Sequence, residues 1–320
     1  MDFCLFGEGM ITGGAGATVL YNLRQRHPTL DLPVIDYDLA LLFQPMLMLG
    51  ISLGVAFNVI FPDWMITSLI LIFFTGISVK AFLKGVNTWK NETLAKKVSV
   101  IENVSWKEVG LLFFVWIMIL ALQIGKSYTI TCSVAYWILN LLQVPIAVGV
   151  SSYEAVLLYK GKKVIASKGD QGINWSVKQL ILYCSCGIIA GLIGGLLGLG
   201  GGFILAPLFL GLGIPPQVSS ATSTFAMTFS ASMSVVEYYL LKRFPIPYVV
   251  ATVAALVGQH LVRKLIVLLG RASIIIFILA LTVFVSGISL GGTGIASLIK
   301  RTENKEYMGF GSLCAYRVRN

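Results

Sequence analysis

The chain has 320 residues, of which 57% are hydrophobic and only 12% are charged, and its mean hydropathy is +0.85. A soluble protein carries roughly 25% charged residues, so this composition excludes a soluble enzyme or binding module. The formal net charge of +10 does not indicate a nucleic-acid partner, because the basic residues lie in short segments between apolar runs rather than in one stripe.

The longest uncharged segments predict membrane-spanning helices, which need about 20 apolar residues each. The run 179–236 is long enough for two crossings and part of a third, and a small-residue helix is predicted at 10–23. We therefore expect an all-α, polytopic membrane helical bundle with about 8–9 transmembrane segments. The segments that lack Asp, Glu, Lys and Arg are 39–62, 64–79, 109–125, 127–153, 179–236, 244–262 and 272–299.

Lysine-rich segments indicate which ends of the helices face the cytoplasm. Segments 84–107 and 160–178 contain five lysines each. Two crossings, 108–126 and 127–157, separate them, so both lie on one side, which we predict to be cytoplasmic. If 179–213 crosses the membrane twice, the C-terminal tail lies on the opposite side. If its second part is re-entrant, the tail is cytoplasmic.

An internal repeat is indicated when the chain is shifted by 217 positions, which aligns Met10 with Met227 and Tyr21 with Tyr238. Transporters are often built from two related halves with the substrate between them. The predicted organisation is a first repeat without its N-terminal part (1–90), a basic cytoplasmic loop (91–107), a connecting transmembrane hairpin (108–160), a second basic loop (161–178), a second repeat (179–297) and a polar tail (298–320).

The second repeat contains the segment with the clearest functional pattern. Three consecutive glycines break a helix, and the freed backbone groups must line a protein cavity because lipid cannot satisfy them. Pro215-Pro216 ends one short helix and starts another, which we expect to open with hydroxyl residues. Helix N-termini and hydroxyls are neutral donors that suit an oxyanion. The candidate substrate-binding residues are Gly200, Gly201, Gly202, Pro207, Ser219, Ser220, Thr222, Ser223 and Thr224.

A purely structural interpretation of the same segment stays open. Glycines four residues apart, such as Gly187, Gly191 and Gly195, are typical of closely packed helices. Ser and Thr near a helix start are ordinary caps. The two histidines and five scattered cysteines do not form a common zinc pattern, and no hydrolase or nucleotide-binding motif is present. We therefore expect no cofactor, no metal and no enzymatic activity.

The segment 198–228, with 236–243, 16–24 and 306–310, resembles the sulfite exporter TauE/SafE family, specifically its plant-type branch. The resemblance covers nearly the whole chain from about residue 10 and implies a multi-pass exporter of sulfite or an organosulfonate. In that family each repeat would contribute one glycine and Ser/Thr motif to a central site. No such motif lies at 1–9, so the first half of the site is missing.

Two functions from different classes follow. The first is export of a small oxyanion such as sulfite or an organosulfonate, with the lipid bilayer as the other partner. The second is a transport-inactive, truncated paralogue that acts as a structural subunit. Assembly with itself or with a full-length relative is left open by the sequence. Neither function involves nucleic acid, and which membrane holds the protein cannot be read from the sequence.

Overall fold

The computed structural model describes residues 33–88, 105–129, 132–163, 176–197, 201–240 and 274–304, with a few isolated positions elsewhere. In these ranges the chain forms helices and no strand, which confirms the predicted all-α class. The described helices are α1 (Tyr37–Ile60), α2 (Asp63–Thr88), α3 (Trp106–Ser127), α4 (Val134–Tyr159), α5 (Val177–Leu197), α6 (Gly202–Gly211), α7 (Pro216–Leu240) and α8 (Ile274–Glu303).

Six of the described helices, α1 to α5 and α8, are long and apolar enough to cross a membrane. Helix α7 has 25 residues, nine of them Ser or Thr. Helix α6 has only ten residues, so it is about 15 Å long, half the thickness of a bilayer's hydrocarbon core. The chain is a multi-pass integral membrane protein, and its bundle contains one helix too short to span.

Helix α1 forms the centre of the bundle and contacts α3, α4, α5 and α7. Its closest neighbour is α5, which runs parallel to it. A Cβ added to Gly191 of α5 would overlap the backbone carbonyl of Leu47, and one added to Gly50 of α1 would overlap the carbonyl of Ile188. The two backbones therefore touch, which only glycine permits. The interpretation of these glycines as packing residues is confirmed.

Helices α2 and α8 pack antiparallel against each other. Gly294, near the end of α8, lies against Thr67 near the start of α2, and Gly85 at the end of α2 faces Phe277. Both helices contain the tripeptide Gly-Ile-Ser, at 76–78 and 287–289. Helix α8 therefore begins at the end of the bundle where α2 stops. Its last residues lie at the opposite end from the lysine-rich segments, which is the arrangement expected of inverted repeats.

Candidate functional site

The glycine run separates two helices, as the sequence predicted. Helix α5 ends at Leu197 and α6 begins at Gly202, with Gly201 as its N-cap; Gly200 lies outside the described residues. A Cβ on Gly201 would lie 2.6 Å from Cδ1 of Leu47 and 3.1 Å from Cα of Gly191, and one on Gly202 would overlap Met227. The start of α6 is therefore enclosed by α1, α5 and α7, at a depth where only glycine fits.

Helix α6 runs from this mid-bundle position towards the end where α1 begins. Its first residues lie beside Leu47, whereas the ring of Phe209 near its end contacts the ring of Phe43 with centroids 5.1 Å apart. The two helices are thus antiparallel. Pro207 lies inside α6, partly buried, where its missing N–H leaves a helical carbonyl without its usual donor. The N-terminus of α6 is directed into the bundle, and its C-terminus towards the predicted cytoplasmic end.

The hydroxyl residues lie further along α7 than expected. Helix α7 begins at Pro216, so Ser219 is its fourth residue and Thr224 its ninth. The prediction that the proline pair starts this helix is confirmed, and the hydroxyl residues lie in its second and third turns rather than at its first residues. They are not N-caps.

Hydrogen bonds show what these hydroxyls do. Ser219 Oγ, fully buried, donates to the carbonyl of Ala206 at 2.8 Å and joins α7 to α6. Thr222 Oγ1 accepts from the backbone N–H of Asp36 at 3.0 Å and joins α7 to the start of α1. The hydroxyls of the last two candidates donate within α7 to the carbonyl of Ser220: Ser223 at 3.1 Å and Thr224 at 2.7 Å.

A hydroxyl has one hydrogen to donate, so the hydroxyls of Ser219, Ser223 and Thr224 have already used theirs on carbonyls. Only their lone pairs face other groups, and lone pairs repel an anion. The hydroxyl of Ser220 makes no hydrogen bond within the part of the chain that the structure describes. Of the candidate hydroxyls in the described residues, Ser220 and Thr222 donate to no group, and Ser220 is the one that also accepts no hydrogen bond.

Buried amides are a further polar feature, and their role could not be read from the sequence. Gln44 of α1 is 1% exposed, and neither Nε2 nor Oε1 has a hydrogen-bond partner. Gln143 of α4 is equally buried, and its Nε2 is also unpartnered. The only sequence signal for Gln44 was an amide next to a proline, Pro45, inside an uncharged run.

An ion cluster joins four segments at the predicted cytoplasmic end. Lys163 Nζ lies 2.7 Å from Asp38 Oδ1, 3.0 Å from Glu154 Oε1 and 3.2 Å from Glu108 Oε1. Glu154 is completely buried. Burial lowers the pKa of Lys163, but its hydrogen bonds to Asp38 and Glu154 outweigh this, so the net shift of that pKa is upward. In the sequence, each of these charges lies only at the end of an apolar run or within a basic loop.

We searched the described residues for side chains that could bind a metal ion. No group of three His, Cys, Asp or Glu side chains within them is arranged to hold an ion. The polar groups at the depth of the α6 start are backbone amides, hydroxyls and carboxamides. These groups bind by hydrogen bonding, without fixed charge.

Comparison with known proteins identifies the family. The chain is 61% identical to sulfite exporter TauE/SafE family protein 3 of Arabidopsis thaliana over 348 aligned positions, which cover 96% of this chain and 73% of that protein. It is 33% identical to family protein 5 of the same plant, covering 85% of this chain and 70% of the relative. No family model matches the chain, and no solved structure does. The resemblance read from the motifs is confirmed: the chain belongs to the sulfite exporter TauE/SafE family.

Proposed function

We propose that the chain exports a small oxyanion, such as sulfite or an organosulfonate, from the cytoplasm across its membrane. The observation that supports this most is the half-length helix α6, whose N-terminus lies at mid-bundle, enclosed by α1, α5 and α7. A helix N-terminus presents unsatisfied N–H groups and the positive end of the helix dipole. The relatives' names, which call them members of a sulfite exporter family, agree with this chemistry.

The neutral character of the site suits a transporter. Residues 179–236 contain no Asp, Glu, Lys or Arg, so an oxyanion among them meets only dipoles and hydrogen-bond donors. A buried Lys or Arg would cost several kcal/mol to desolvate and would hold the ion too firmly for release. Neutral donors bind the ion more weakly, which allows it to leave on the other side.

Within this site we assign different roles to the candidate residues. Gly201 and Gly202 bring backbone N–H groups to the ion, Gly200 stays a candidate only by its place in the glycine run, and Ser220 donates its hydroxyl hydrogen. Pro207 frees a backbone carbonyl within α6. The remaining hydroxyls hold the framework, through the α6–α7 bond of Ser219 and the α1–α7 bond of Thr222. Ser223 and Thr224 keep their hydrogens on the carbonyl of Ser220.

Transport is tested with the purified full chain in vesicles loaded with sulfite. We expect saturable sulfite release well above that of protein-free vesicles, and competition by ethanesulfonate. The double variant Ser220→Ala, Thr224→Ala removes the available donor and its neighbour, so flux should fall about ten- to hundred-fold, the range for a hydrogen bond to a charged group.

Ser68→Ala is the matched control, since Ser68 lies on α2 and its exposed hydroxyl also donates to the carbonyl four residues earlier, at 2.8 Å. Its flux should equal that of the wild type. Absence of saturable flux for the wild type refutes the proposed function. If the double variant transports sulfite at the wild-type rate, the hydroxyls of Ser220 and Thr224 are not part of the site.

A further inference from the structure

We propose that Gln44 of α1 is the side chain that binds the oxyanion opposite the start of α6, so that the first half of the chain contributes a donor to the site. This inference rests on the proposed function, because the ligand class is the same. It assigns a binding role to a residue that the glycine and Ser/Thr pattern does not include.

The side-chain amide of Gln44 is buried and unpartnered. Gln44 is 1% exposed, yet its Nε2 and its Oε1 both lack a hydrogen-bond partner. Leaving a buried polar group unpaired costs about 1–3 kcal/mol, and native proteins rarely tolerate it without a ligand, a water or a functional reason. A group with two N–H donors in a site that excludes water is suited to an anion.

Gln44 lies on the side of α1 that faces α6 and α7. Gln44 is seven residues after Tyr37, so the two share a face of α1, and the ring of Tyr37 contacts Phe225 of α7 with centroids 5.5 Å apart. Gln44 is also three residues before Leu47, which contacts Gly201 at the start of α6. Its amide therefore points into the angle between α6 and α7, about 4.5 Å along α1 from the depth of Gly201.

The face of α7 that is turned towards α1 and α6 carries small side chains. Thr222 contacts α1, and Met227 contacts the start of α6. Around α7, the positions between these two contacts belong to three serines and one alanine, all at most 3% exposed. The face of α7 between these two contacts therefore carries only small side chains. These positions are Ser219, Ser223, Ala226 and Ser230.

The chemistry of the three elements is complementary. Helix α6 supplies backbone N–H groups at its N-terminus, and Ser219, Ser223 and Ser230 of α7 have already donated their hydrogens to carbonyls. Gln44 Nε2 adds two hydrogens that are otherwise unused. An oxyanion held between α1 and α6 would accept from Gln44 Nε2 and from the helix end without any buried charge from the protein.

The test separates binding from transport. Equilibrium binding of radiolabelled sulfite, and its competition by ethanesulfonate, is measured on the full chain in lipid nanodiscs, with flux measured in vesicles from the same preparation. Gln44→Leu should weaken sulfite binding about ten- to hundred-fold, the range for a lost hydrogen bond to a charged group. The same variant should unfold no more easily than the wild type, because it removes an unsatisfied buried group.

Gln143→Leu is the matched control. Gln143 is also 1% exposed with an unpartnered Nε2, but it lies on α4, which packs against α1 and α3. Its substitution should leave sulfite binding unchanged. A purely structural amide at position 44 would behave in the opposite way, with lower stability and unchanged affinity in Gln44→Leu.

Each outcome decides between the proposals. Equal binding by the wild type and Gln44→Leu overturns the inference, as does an equal loss in Gln143→Leu. A wild type that binds no sulfite and no ethanesulfonate also overturns it, and Gln44 then holds only buried water. A wild type that binds sulfite through Gln44 but shows no flux supports the inference and refutes the transport function alone.

Discussion

The contact between the backbones of α1 and α5 gives a sharp stability prediction. A Cβ built on Gly191 overlaps the carbonyl oxygen of Leu47 and lies 2.9 Å from Cα of Gly50. Because ordinary carbon contacts need roughly 3.5–4.0 Å, Gly191→Ala forces the two helices apart by about 1 Å. The neighbour is backbone and cannot rotate away, so the cost should reach the upper end of the overpacking range, about 3 kcal/mol.

The control for this substitution is Gly149→Ala, in the interior of α4, where an added Cβ meets nothing within 4 Å. Both variants gain about 1 kcal/mol of helix propensity when Ala replaces Gly. That gain cancels in the comparison, so the difference between the two is the overpacking cost alone. We expect Gly191→Ala to be about 2 kcal/mol less stable than the wild type and Gly149→Ala about 1 kcal/mol more stable.

The assay is reversible unfolding in mixed micelles, with the free energy of unfolding extrapolated to the absence of denaturant. The expected difference of about 3 kcal/mol corresponds to more than a hundred-fold change in the unfolding equilibrium. If Gly191→Ala proves as stable as Gly149→Ala, the helices are not in backbone contact. In that case Leu47 and Gly191 would not enclose the start of α6 either.

Three further outcomes are expected. Lys163→Met should destabilise the protein by about 3–5 kcal/mol in unfolding assays, because Glu154 would remain buried without a partner, whereas exposed Lys162→Met should be near neutral. Because the folded-state pKa of Lys163 is raised, its contribution to the free energy of unfolding is fully present below the ordinary lysine pKa of about 10.4 and is lost as pH rises beyond it. The stability of the wild type should therefore fall more steeply in alkali than the stability of Lys163→Met. Cysteines introduced by Lys160→Cys and Glu303→Cys should react with an impermeant thiol reagent from opposite sides, and labelling from one side would contradict the antiparallel α2–α8 pair.

The spanning helices were predictable because charged residues lie at or near the ends of their uncharged runs. The uncharged runs 109–125 and 127–153 correspond to α3 and α4; α3 extends beyond its run at both ends, and α4 begins inside its run and extends beyond it at the end. Uncharged length marks the hydrocarbon core, while a helix continues into the interface where charges are tolerated. Helix α6 differs, because no charge lies near either of its ends. Only the glycine run and the proline pair indicated it, and its exact length depends on packing against α1.

The site was predictable in residue type but not in hydrogen bonding. The sequence shows that hydroxyls follow the proline pair, yet Ser219 donates to α6 and Thr222 accepts from α1 only because three helices meet there. The Lys163 cluster was missed for a related reason. Its acidic members lie at or near the starts of α1 and α3 and the end of α4, and only the tertiary arrangement shows that these ends share one corner.

Helix α1 keeps this charged corner apart from the neutral interior. Asp38 faces α3 and α4 through Lys163, whereas Gln44, six residues later, is turned by about a third of a revolution towards α6 and α7. Three carboxylates around one ammonium leave an excess of negative charge on the first side, which repels an oxyanion and does so most strongly where water is scarce. On the proposed function, the charged corner of α1 would repel an oxyanion, whereas the uncharged side that faces α6 and α7 would not.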